Sequence, residues 1–263
     1  MAVPMRDGHK GGSFAEQMSR PVRAPNGPDP RIVGQLPIFD GLGEDLPRQL
    51  IRSSASRYYQ AGTSIVSAGD PLDGLFVVLR GIVDLIHVDA EGECGVLLLS
   101  AKDLLLPATT VFREPALVSA RALTNTEVIV IKDDAIRSAV DQSAAFATNL
   151  MKAISGQWRM AVRNILDLNC RSAAQRLGAF LLRIADLQAE SGAAVLPISK
   201  RHLAVRLGMT AETLSRMLQV VAGHGLNLRG RTIIIRDRAA IEEFCGPDPY
   251  PRKDERVLDV FAL

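Results

Sequence analysis

The clearest structural signals in the chain lie in residues 197–236, PISKRHLAVRLGMTAETLSRMLQVVAGHGLNLRGRTIIIR. Ser199 is a favourable N-cap for a first helix. Leu203 and Leu207 are spaced to face inward from that helix. Gly208 follows at the point where a left-handed residue commonly ends a helix. These residues predict a short helix that ends in a tight turn.

A second short helix is predicted directly after this turn. Thr210 is placed to cap it, and the pattern ends near residues 223–225, where glycine recurs. Its inward positions repeat at the helical period and are Leu214, Met217, Leu218 and Val221. Two short helices joined by about three residues form the helix-turn-helix that reads DNA.

A β-hairpin is predicted after the two helices. Residues 226–228 and 232–235 are apolar or β-branched, and they flank Arg229, Gly230 and Arg231. The whole segment therefore predicts a winged helix-turn-helix.

The outward face of the second helix carries polar side chains that suit base edges. Arg216 can grip guanine O6 and N7, Glu212 can accept from cytosine N4, and Ser215 lies beside them. The alternative is a surface ion pair between Glu212 and Arg216, which are four residues apart. The residues predicted to contact the DNA backbone are Ser199, Lys200, Arg201, Thr210, Thr213 and Gln219.

Charge is distributed unevenly along the chain. Residues 199–238 contain eight Lys or Arg and two acidic residues, whereas residues 32–140 contain nine basic and fourteen acidic residues. The formal net charge of the chain is only +2. The C-terminal part is therefore the part expected to face phosphate.

The segment LAVRLGMTAETLSRML, residues 203–218, resembles the DNA-binding motif of the CRP/FNR superfamily of bacterial transcription regulators. Glu212, Ser215 and Arg216 resemble the E-x-x-S-R pattern of its FNR-type members. The resemblance extends over about residues 36–244 and implies an inverted TTGA-type repeat in double-stranded DNA as the site. It also implies RNA polymerase as a partner. The phrases CRSAAQRLGAFLL and LGMTAETLSR are similar to the branch with nitric-oxide-responsive regulators of denitrification.

The region before the DNA-binding segment has the pattern of a β-roll. Between residues 58 and 131, short apolar runs such as 75–79 and 83–88 alternate with glycine-containing turns. The stretch AGTSIVSAGDPLDGLFVVLRGIVDL is similar to the cyclic-nucleotide-binding β-roll of the same superfamily. We therefore predict an α+β protein with a jelly-roll sensor domain.

A long helix is predicted between the two domains, with an apolar seam that steps alternately by four and three residues. The seam residues are Ala147, Met151, Ile154, Trp158, Ala161, Ile165 and Leu168. Such a stripe often packs on its own domain. Because two half-sites require two DNA-reading helices, we expect a homodimer through this seam. A hinge is expected near Asn169, beyond which a further helix over 171–187 packs in the DNA-binding domain.

The sequence does not identify the effector that the sensor domain would bind. The resemblance places a Gly-Glu pair and an Arg-Ser pair at the cyclic nucleotide, and neither pair occurs in DLLLPATTVFREPALVSARAL; residues 116 and 117 are Ala and Leu. An anion buried without such donors carries a desolvation penalty. The sequence thus disfavours cAMP, with Arg113 and Arg121 as the alternative donors.

An iron–sulfur cluster is also disfavoured, because it needs four thiolates and the chain has three cysteines. Haem remains an alternative, with His87 as the candidate axial ligand and NO or CO as the gas sensed. A constitutive regulator without an effector is a second alternative, and a signal-binding module with a vestigial DNA-binding domain is a third. Metal-ligand spacings and extended catalytic motifs are missing, which argues against an enzyme.

The expected organisation has five parts: a flexible arm at 1–31, the sensor at 32–140, a dimerisation helix at 141–169, the winged helix-turn-helix at 170–245 and a tail at 246–263. Gly, Pro, Arg and Ser dominate the arm, which has little apolar periodicity. It also lacks the apolar core of a signal peptide or a membrane span. We therefore expect a cytoplasmic protein that does not enter a membrane.

Overall fold

The computed structural model describes residues 22–23, 28–90, 92–188 and 194–247. A two-sheet roll comes first, a long helix follows, and a second module of helices with a small sheet ends the described chain. The α+β class and the three-part architecture predicted from the sequence are confirmed.

The first sheet of the roll has five strands in the order β1-β2-β9-β4-β7, with antiparallel neighbours. Its strands are β1 (Val22–Arg23), β2 (Ser54–Tyr59), β4 (Gly74–Arg80), β7 (Leu104–Leu105) and β9 (Thr126–Lys132). The second sheet has four strands in the order β3-β8-β5-β6. Its strands are β3 (Ser64–Val66), β5 (Val83–Asp89), β6 (Gly92–Leu99) and β8 (Ser119–Ala122).

The continuous apolar run of β4 follows from burial on both faces of the first sheet. Leu75 and Val77 belong to a core covered by helices, whereas Phe76 and Val78 belong to the core between the two sheets. Side chains alternate between the faces of a strand, so a strand buried on both faces needs apolar residues at every position. Side chains fill the interior of the roll in this way.

In the described part of the chain, five α-helices and one short 3-10 helix (Pro37–Phe39) accompany the roll. The α-helices are α1 (Pro30–Val33), α2 (Asp45–Arg52), α3 (Pro107–Phe112), α4 (Asp133–Gln142) and α5 (Ala144–Cys170). The side chain of Ser143 caps α5 by accepting a hydrogen bond from the amide of Phe146. Phe146 and Leu150 bury one face of α5 against the outer core of the first sheet, and Phe39 stacks on Phe146.

The C-terminal module contains four helices and a three-stranded sheet in the order β10-β12-β11. Its elements are α6 (Ala173–Leu187), β10 (Ala194–Val195), α7 (Lys200–Arg206), α8 (Ala211–Gly223), β11 (Leu226–Arg229), β12 (Thr232–Ile235) and α9 (Arg238–Cys245). The predicted helices and hairpin are confirmed as α6, α7, α8 and the β11–β12 pair. Strand β10 and helix α9 were not predicted.

The structure describes part of the expected N-terminal arm and only the first residues of the expected C-terminal tail. Val22 and Arg23 form β1 and pair with Tyr58 and Arg57 of β2, and α1 begins at Pro30, so residues 22–23 and 30–31 of the expected flexible arm have regular secondary structure. Backbone pairing to a sheet edge supplies order that composition does not reveal. Most of 1–31, and the tail beyond 247, lie outside the described residues.

The expected hinge near Asn169 corresponds to the junction of α5 and α6. Helix α5 ends at Cys170, and Arg171 is extended. The side chain of Ser172 then accepts from the amide of Gln175, whose own side chain accepts from the amide of Ser172. This capping box starts α6 as a separate helix.

The buried Asp103 generates a prediction about stability. Its carboxylate accepts hydrogen bonds from the amide of Ser100 at 2.8 Å and from the Ser100 hydroxyl at 3.4 Å, but burial outweighs them and raises the pKa of Asp103 to about 7. The folded protein therefore holds a proton that the unfolded chain releases above about pH 4. The free energy of unfolding should fall as the pH rises from about 4 to 7, by at most roughly 1.4 kcal/mol per pH unit from this group.

Asp103→Asn should remove this part of the pH dependence, because asparagine stays neutral and keeps an acceptor for the Ser100 amide. Urea unfolding between pH 4.5 and 8 measures it. Asp40→Asn, at an exposed aspartate, is the matched control. Parallel pH profiles for the wild type and Asp103→Asn would contradict the prediction.

Candidate nucleic-acid interface

Local hydrogen bonds cap the N-termini of α7 and α8, and a glycine lies in the turn between these helices. The Ser199 hydroxyl accepts from the amide of His202 at 3.2 Å, and the Thr210 hydroxyl accepts from the amide of Thr213 at 3.1 Å. Between the helices, Gly208 has a φ of 63°, in the left-handed region that favours glycine. Both caps predicted from the sequence are therefore present, and they set where each helix begins.

The two helices are held by a core that the whole module shares. Its buried members come from every helix of the module and from both wing strands. They include Leu177, Leu181, Leu203, Leu214, Val221, Leu226, Ile233 and Ile241. Helix α6 crosses close to α9 at Gly178, where an added Cβ would lie 2.6 Å from Cys245 Sγ. The helices are thus seated on a rigid base.

The outer face of α8 presents the side chains that the sequence predicts for base contacts. Glu212, Ser215 and Arg216 are all exposed. Nη2 of Arg216 lies 3.5 Å from the Thr213 hydroxyl, and the Ser215 hydroxyl donates to the carbonyl of Ala211 at 3.0 Å. Glu212 and Arg216, both within the described chain, do not form an ion pair with each other. Their charged groups face solvent, where a ligand can reach them.

The residues predicted to contact the DNA backbone divide into two groups. Lys200, Arg201 and Gln219 are exposed. Ser199 and Thr210 use their hydroxyls as helix caps, so any phosphate contact at these positions shares the hydroxyl with a cap. Thr213 is partly buried, and its hydroxyl accepts a hydrogen bond from the Thr210 hydroxyl at 3.0 Å. These caps leave the first turns of α7 and α8 at the surface, where free amides and the helix dipole favour anions.

The wing adds basic side chains beside the two helices. Arg229 and Arg231 flank Gly230, whose φ of 60° closes the turn between β11 and β12. Nε of Arg231 donates to the carbonyl of Leu196 at 2.7 Å, which ties the wing to the chain before α7. Arg236 is exposed at the end of the hairpin. The basic surface predicted from the charge count therefore continues along the wing.

Arg206 departs from the surface expected from the charge count. It sits at the end of α7 against the roll, and its Cα would lie 3.0 Å from a Cβ added to Gly95 of β6. Burial lowers the pKa of Arg206 to about 10, and burial raises the pKa of Asp84 on β5 to about 6. The negative charge of Asp84 acts to raise the pKa of Arg206, and the positive charge of Arg206 acts to lower the pKa of Asp84, so each opposes the effect of burial on the other. Gly95 lies inside β6, and a glycine within a strand is a signal that another backbone approaches closely.

A second charge cluster lies at the same contact. Arg121 of β8 donates to both carboxylate oxygens of Glu93 on β6, at 2.7 and 3.0 Å. This hydrogen bonding lowers the pKa of Glu93, and the charges of Arg201 and His202 lower it further. Burial lowers the pKa of His202, with the nearby arginines acting in the same direction. Glu93 therefore lies within electrostatic reach of the first turn of α7.

Helix α5 exposes a line of large apolar side chains. Met151, Trp158 and Ile165, at seven-residue intervals, are 62%, 68% and 53% exposed, and Leu168 is 46% exposed. The other seam residues, Ala147, Ile154 and Ala161, are partly buried. Ile154 packs against the outer core of the roll. The predicted seam is thus open to a partner along most of its length.

The side chains considered for an effector lie outside the interior of the roll. The side chain of His87, the candidate haem ligand, is 55% exposed, and its Nε2 lies 3.9 Å from Oδ2 of Asp89. By the alternation of side chains along β5, His87 shares the face of Val83 and Leu85, which belong to the interior core, but it lies in the exposed end of the strand. Arg113 binds Asp133, and Arg121 binds Glu93, so neither is directed at a buried anion.

Two further features of the structure concern clusters of metal-binding side chains and helices that could span a membrane. Within the described ranges, no group of three or more His, Cys, Asp or Glu residues is arranged to hold a metal ion. None of the helices in that part of the chain has the length and apolarity needed to cross a bilayer.

The two parts of the chain match known protein families. Residues 56–143 match the family described as the cyclic nucleotide-binding domain, and residues 175–244 match the Crp-like helix-turn-helix domain. The first match covers most of the roll and α4, and the second runs from α6 into α9.

Curated relatives align over most of the chain. The fumarate and nitrate reduction regulatory protein of Yersinia pestis is 27% identical over 202 residues, which cover 73% of this chain and 79% of that protein. The CRP-like cAMP-activated global transcriptional regulator of Mycobacterium tuberculosis is 21% identical over 212 residues, which cover 78% and 95%. The structure of FixK2 from Bradyrhizobium japonicum has the same fold, with a TM-score of 0.66, 24% identity, and coverage of 74% and 98%.

Proposed function

Because the chain belongs to the CRP/FNR superfamily of transcription regulators, we propose that it regulates transcription as a homodimer that binds an inverted TTGA-type repeat. The observation that carries this proposal is the surface of α8. A helix with a capped N-terminus presents Glu212, Ser215 and Arg216 to solvent beside a basic wing. RNA polymerase is the partner through which such a regulator acts.

The chemistry of these side chains suits a G·C pair. An arginine that grips guanine O6 and N7 and a glutamate that accepts from the cytosine amino group together discriminate a G·C pair from the alternatives. Because Glu212 and Arg216 are not engaged with each other, both are available for that role. Lys200, Arg201 and the wing arginines supply contacts to phosphate that carry affinity without sequence information.

The exposed line on α5 supports a dimer. Three large apolar side chains at seven-residue spacing form the stripe that two parallel helices bury between them. The opposite face of α5 is already buried against the roll through Phe146 and Leu150. A second copy would cover the exposed line and would supply a second α8 for the other half-site.

The roll is proposed as a regulatory domain that does not take cAMP. Side chains fill the space between its sheets, and the two arginines that offered alternative phosphate donors are engaged with acidic side chains. Haem held by His87 is not supported, because its side chain is largely exposed at the end of β5. A regulator that senses a different signal, or that acts constitutively, fits these observations.

The first prediction concerns base reading. Arg216→Ala should weaken binding to the inverted repeat by about 1 to 3 kcal/mol and should flatten the preference for guanine at the position it reads. Lys200→Ala should weaken binding to specific and random duplexes alike and reduce the salt slope by about one charge. Fluorescence anisotropy titrations of both variants at several salt concentrations make the comparison. Equal losses on specific and random DNA for Arg216→Ala would overturn the base-reading role.

The second prediction concerns the dimer. Trp158→Glu should convert the protein to a monomer, because it places a charge in the apolar line that the partner helix would bury. Sedimentation equilibrium measures the mass. Lys152→Glu introduces the same side chain at an exposed position of the same helix beside the line, and it should leave the dimer intact. A wild-type monomer at micromolar concentration would refute the proposal.

The third prediction concerns the effector. Trp158 is the only tryptophan in the chain, and it reports on α5. Adding cAMP up to millimolar concentration should change neither its fluorescence nor the affinity for the inverted repeat. When haem is added, the wild type should show no absorption band from haem bound at a one-to-one ratio through His87. The spectra of the wild type and His87→Ala should therefore be the same. A saturable response to cAMP would contradict the assignment of the roll.

A further inference from the structure

The DNA-binding module packs against the β5–β6 hairpin (residues 83–99), and apolar side chains of the roll and of the module share one buried cluster there. This contact between the hairpin and the module is called the seat. Ile82 and Leu98 of the roll belong to the same buried cluster as Leu203 and Leu207 of the module. Leu98 lies between Leu97 and Leu99, which face the interior of the roll, so it points to the outer side. The module therefore covers the outer face of this end of β6.

The hairpin is shaped for this contact. The pairing of β5 with β6 shifts between Leu85 and Ile86, so that Leu85 pairs with Leu97 and Ile86 pairs with Gly95. Such a bulge bends a strand locally. At Gly95 the backbone of α7 comes so close that a Cβ would stand 3.0 Å from Arg206 Cα. A helix backbone can approach a strand this closely only over glycine.

The charges at this seat do not favour a permanent contact. Nη1 of Arg206 and Oδ1 of Asp84 are both buried and have no hydrogen-bond partner among the described residues. A buried charged group with an unsatisfied atom costs free energy, even when an opposite charge lies nearby. Apolar burial at Ile82 and Leu98 favours the docked arrangement, whereas the Asp84–Arg206 region opposes it. Such opposing terms suit a contact that can open.

The hairpin also brings an acidic group to the end of α7 that is predicted to meet DNA. Glu93, held by Arg121, acts electrostatically on Arg201 and His202 in the first turn of α7. This turn offers free amides and the basic side chains of Lys200 and Arg201. A DNA phosphate brought to the same turn would meet the negative charge of Glu93.

We propose that the β5–β6 hairpin is an intramolecular competitor of the DNA backbone for the first turn of α7, so that the docked arrangement is the low-affinity state. This inference rests on the proposed function, because it concerns regulation of the same DNA-binding surface. Opening the seat removes Glu93 from α7 and lets phosphate take its place. Binding of DNA and docking on the hairpin then oppose each other, and by linkage each weakens the other.

Two variants test the proposal from different directions. Glu93→Gln removes the charge without changing the size of the side chain, and Gly95→Val adds atoms where α7 rests. Each should bind both the inverted repeat and a random duplex about five-fold or more tightly than the wild type, because the competition is for phosphate rather than for bases. Asp89→Asn is the matched control: it removes an acidic charge from the same hairpin beside His87, and its affinity should stay within two-fold of the wild type.

Hydrogen–deuterium exchange supplies a readout that does not depend on affinity. In the wild type, adding DNA should raise exchange at residues 93–98 of the hairpin, and Gly95→Val should raise it there without DNA. If the variants bind DNA no more tightly than the wild type, or if DNA leaves the exchange of 93–98 unchanged, the inference is overturned. Should Gly95→Val fail to fold, Glu93→Gln and the exchange of the wild type still decide the question.

The proposed function and this inference fail in different ways. A wild-type protein that does not prefer the inverted repeat to random DNA refutes the proposed function. A wild type with that preference, combined with unchanged affinity in Glu93→Gln, refutes only the competition. Tighter binding in Asp89→Asn equal to that in Glu93→Gln would assign the effect to net charge and would also refute it.

Discussion

The arrangement of the domains depends on how strand β6 is covered. It is an edge strand of the second sheet, with β5 on one side only. An edge strand offers unpaired backbone groups and is normally protected by a helix, a charge or a bulge. Here all three occur: Nδ2 of Asn164 on α5 donates to the carbonyl of Val96 at 3.2 Å, Glu93 carries a charge, and the pairing with β5 is bulged. The roll and the DNA-binding module meet where the edge has to be closed.

Helix α5 satisfies a related constraint on two sides. One face is buried on the roll, where Asn149 also donates to the carbonyl of Asp40 at 2.8 Å. The other face leaves Trp158 and its neighbours exposed, at a cost that burial of apolar surface against a second chain would offset. A single helix therefore covers one domain and, in the proposed dimer, would also supply the surface that the partner helix buries.

The parts of the fold that are written locally could be predicted from the sequence. Ser199, Thr210 and Gly208 act within a few residues of their own position, and the helix ends they predict agree closely with the structure. The short apolar runs of the roll and the glycine-containing turns between them are local signals in the same sense. The heptad line on α5 was visible for the same reason, although the sequence does not reveal that Ile154 also packs on the roll.

The candidate site was harder to predict where it depends on contacts distant in the chain. Arg206 was counted with the surface charges, because nothing near it in sequence indicates that Gly95 and Asp84 lie against it. His87 was placed in an apolar strand and shares a face with Val83 and Leu85, but it lies in the exposed end of β5, and how far that strand is covered depends on residues distant in the chain. Register and domain docking are long-range properties, and a single residue's neighbours in sequence do not carry them.

The junction of α5 with α6 shows how the module can move while staying attached. Asp167, near the end of α5, binds Arg183 of α6 at 2.8 Å and Arg171 of the connection at 3.3 Å. All three side chains are largely buried, so a rotation that separates α6 from α5 breaks the pair with Arg183 but keeps the pair with Arg171, four residues away in the chain. The carboxylate is not left alone in either position. Retaining one partner keeps the cost of rotation well below that of stranding a buried charge. A hinge at the expected position near Asn169 would therefore be restrained, and a turn of the module there would also have to open its contact with β6.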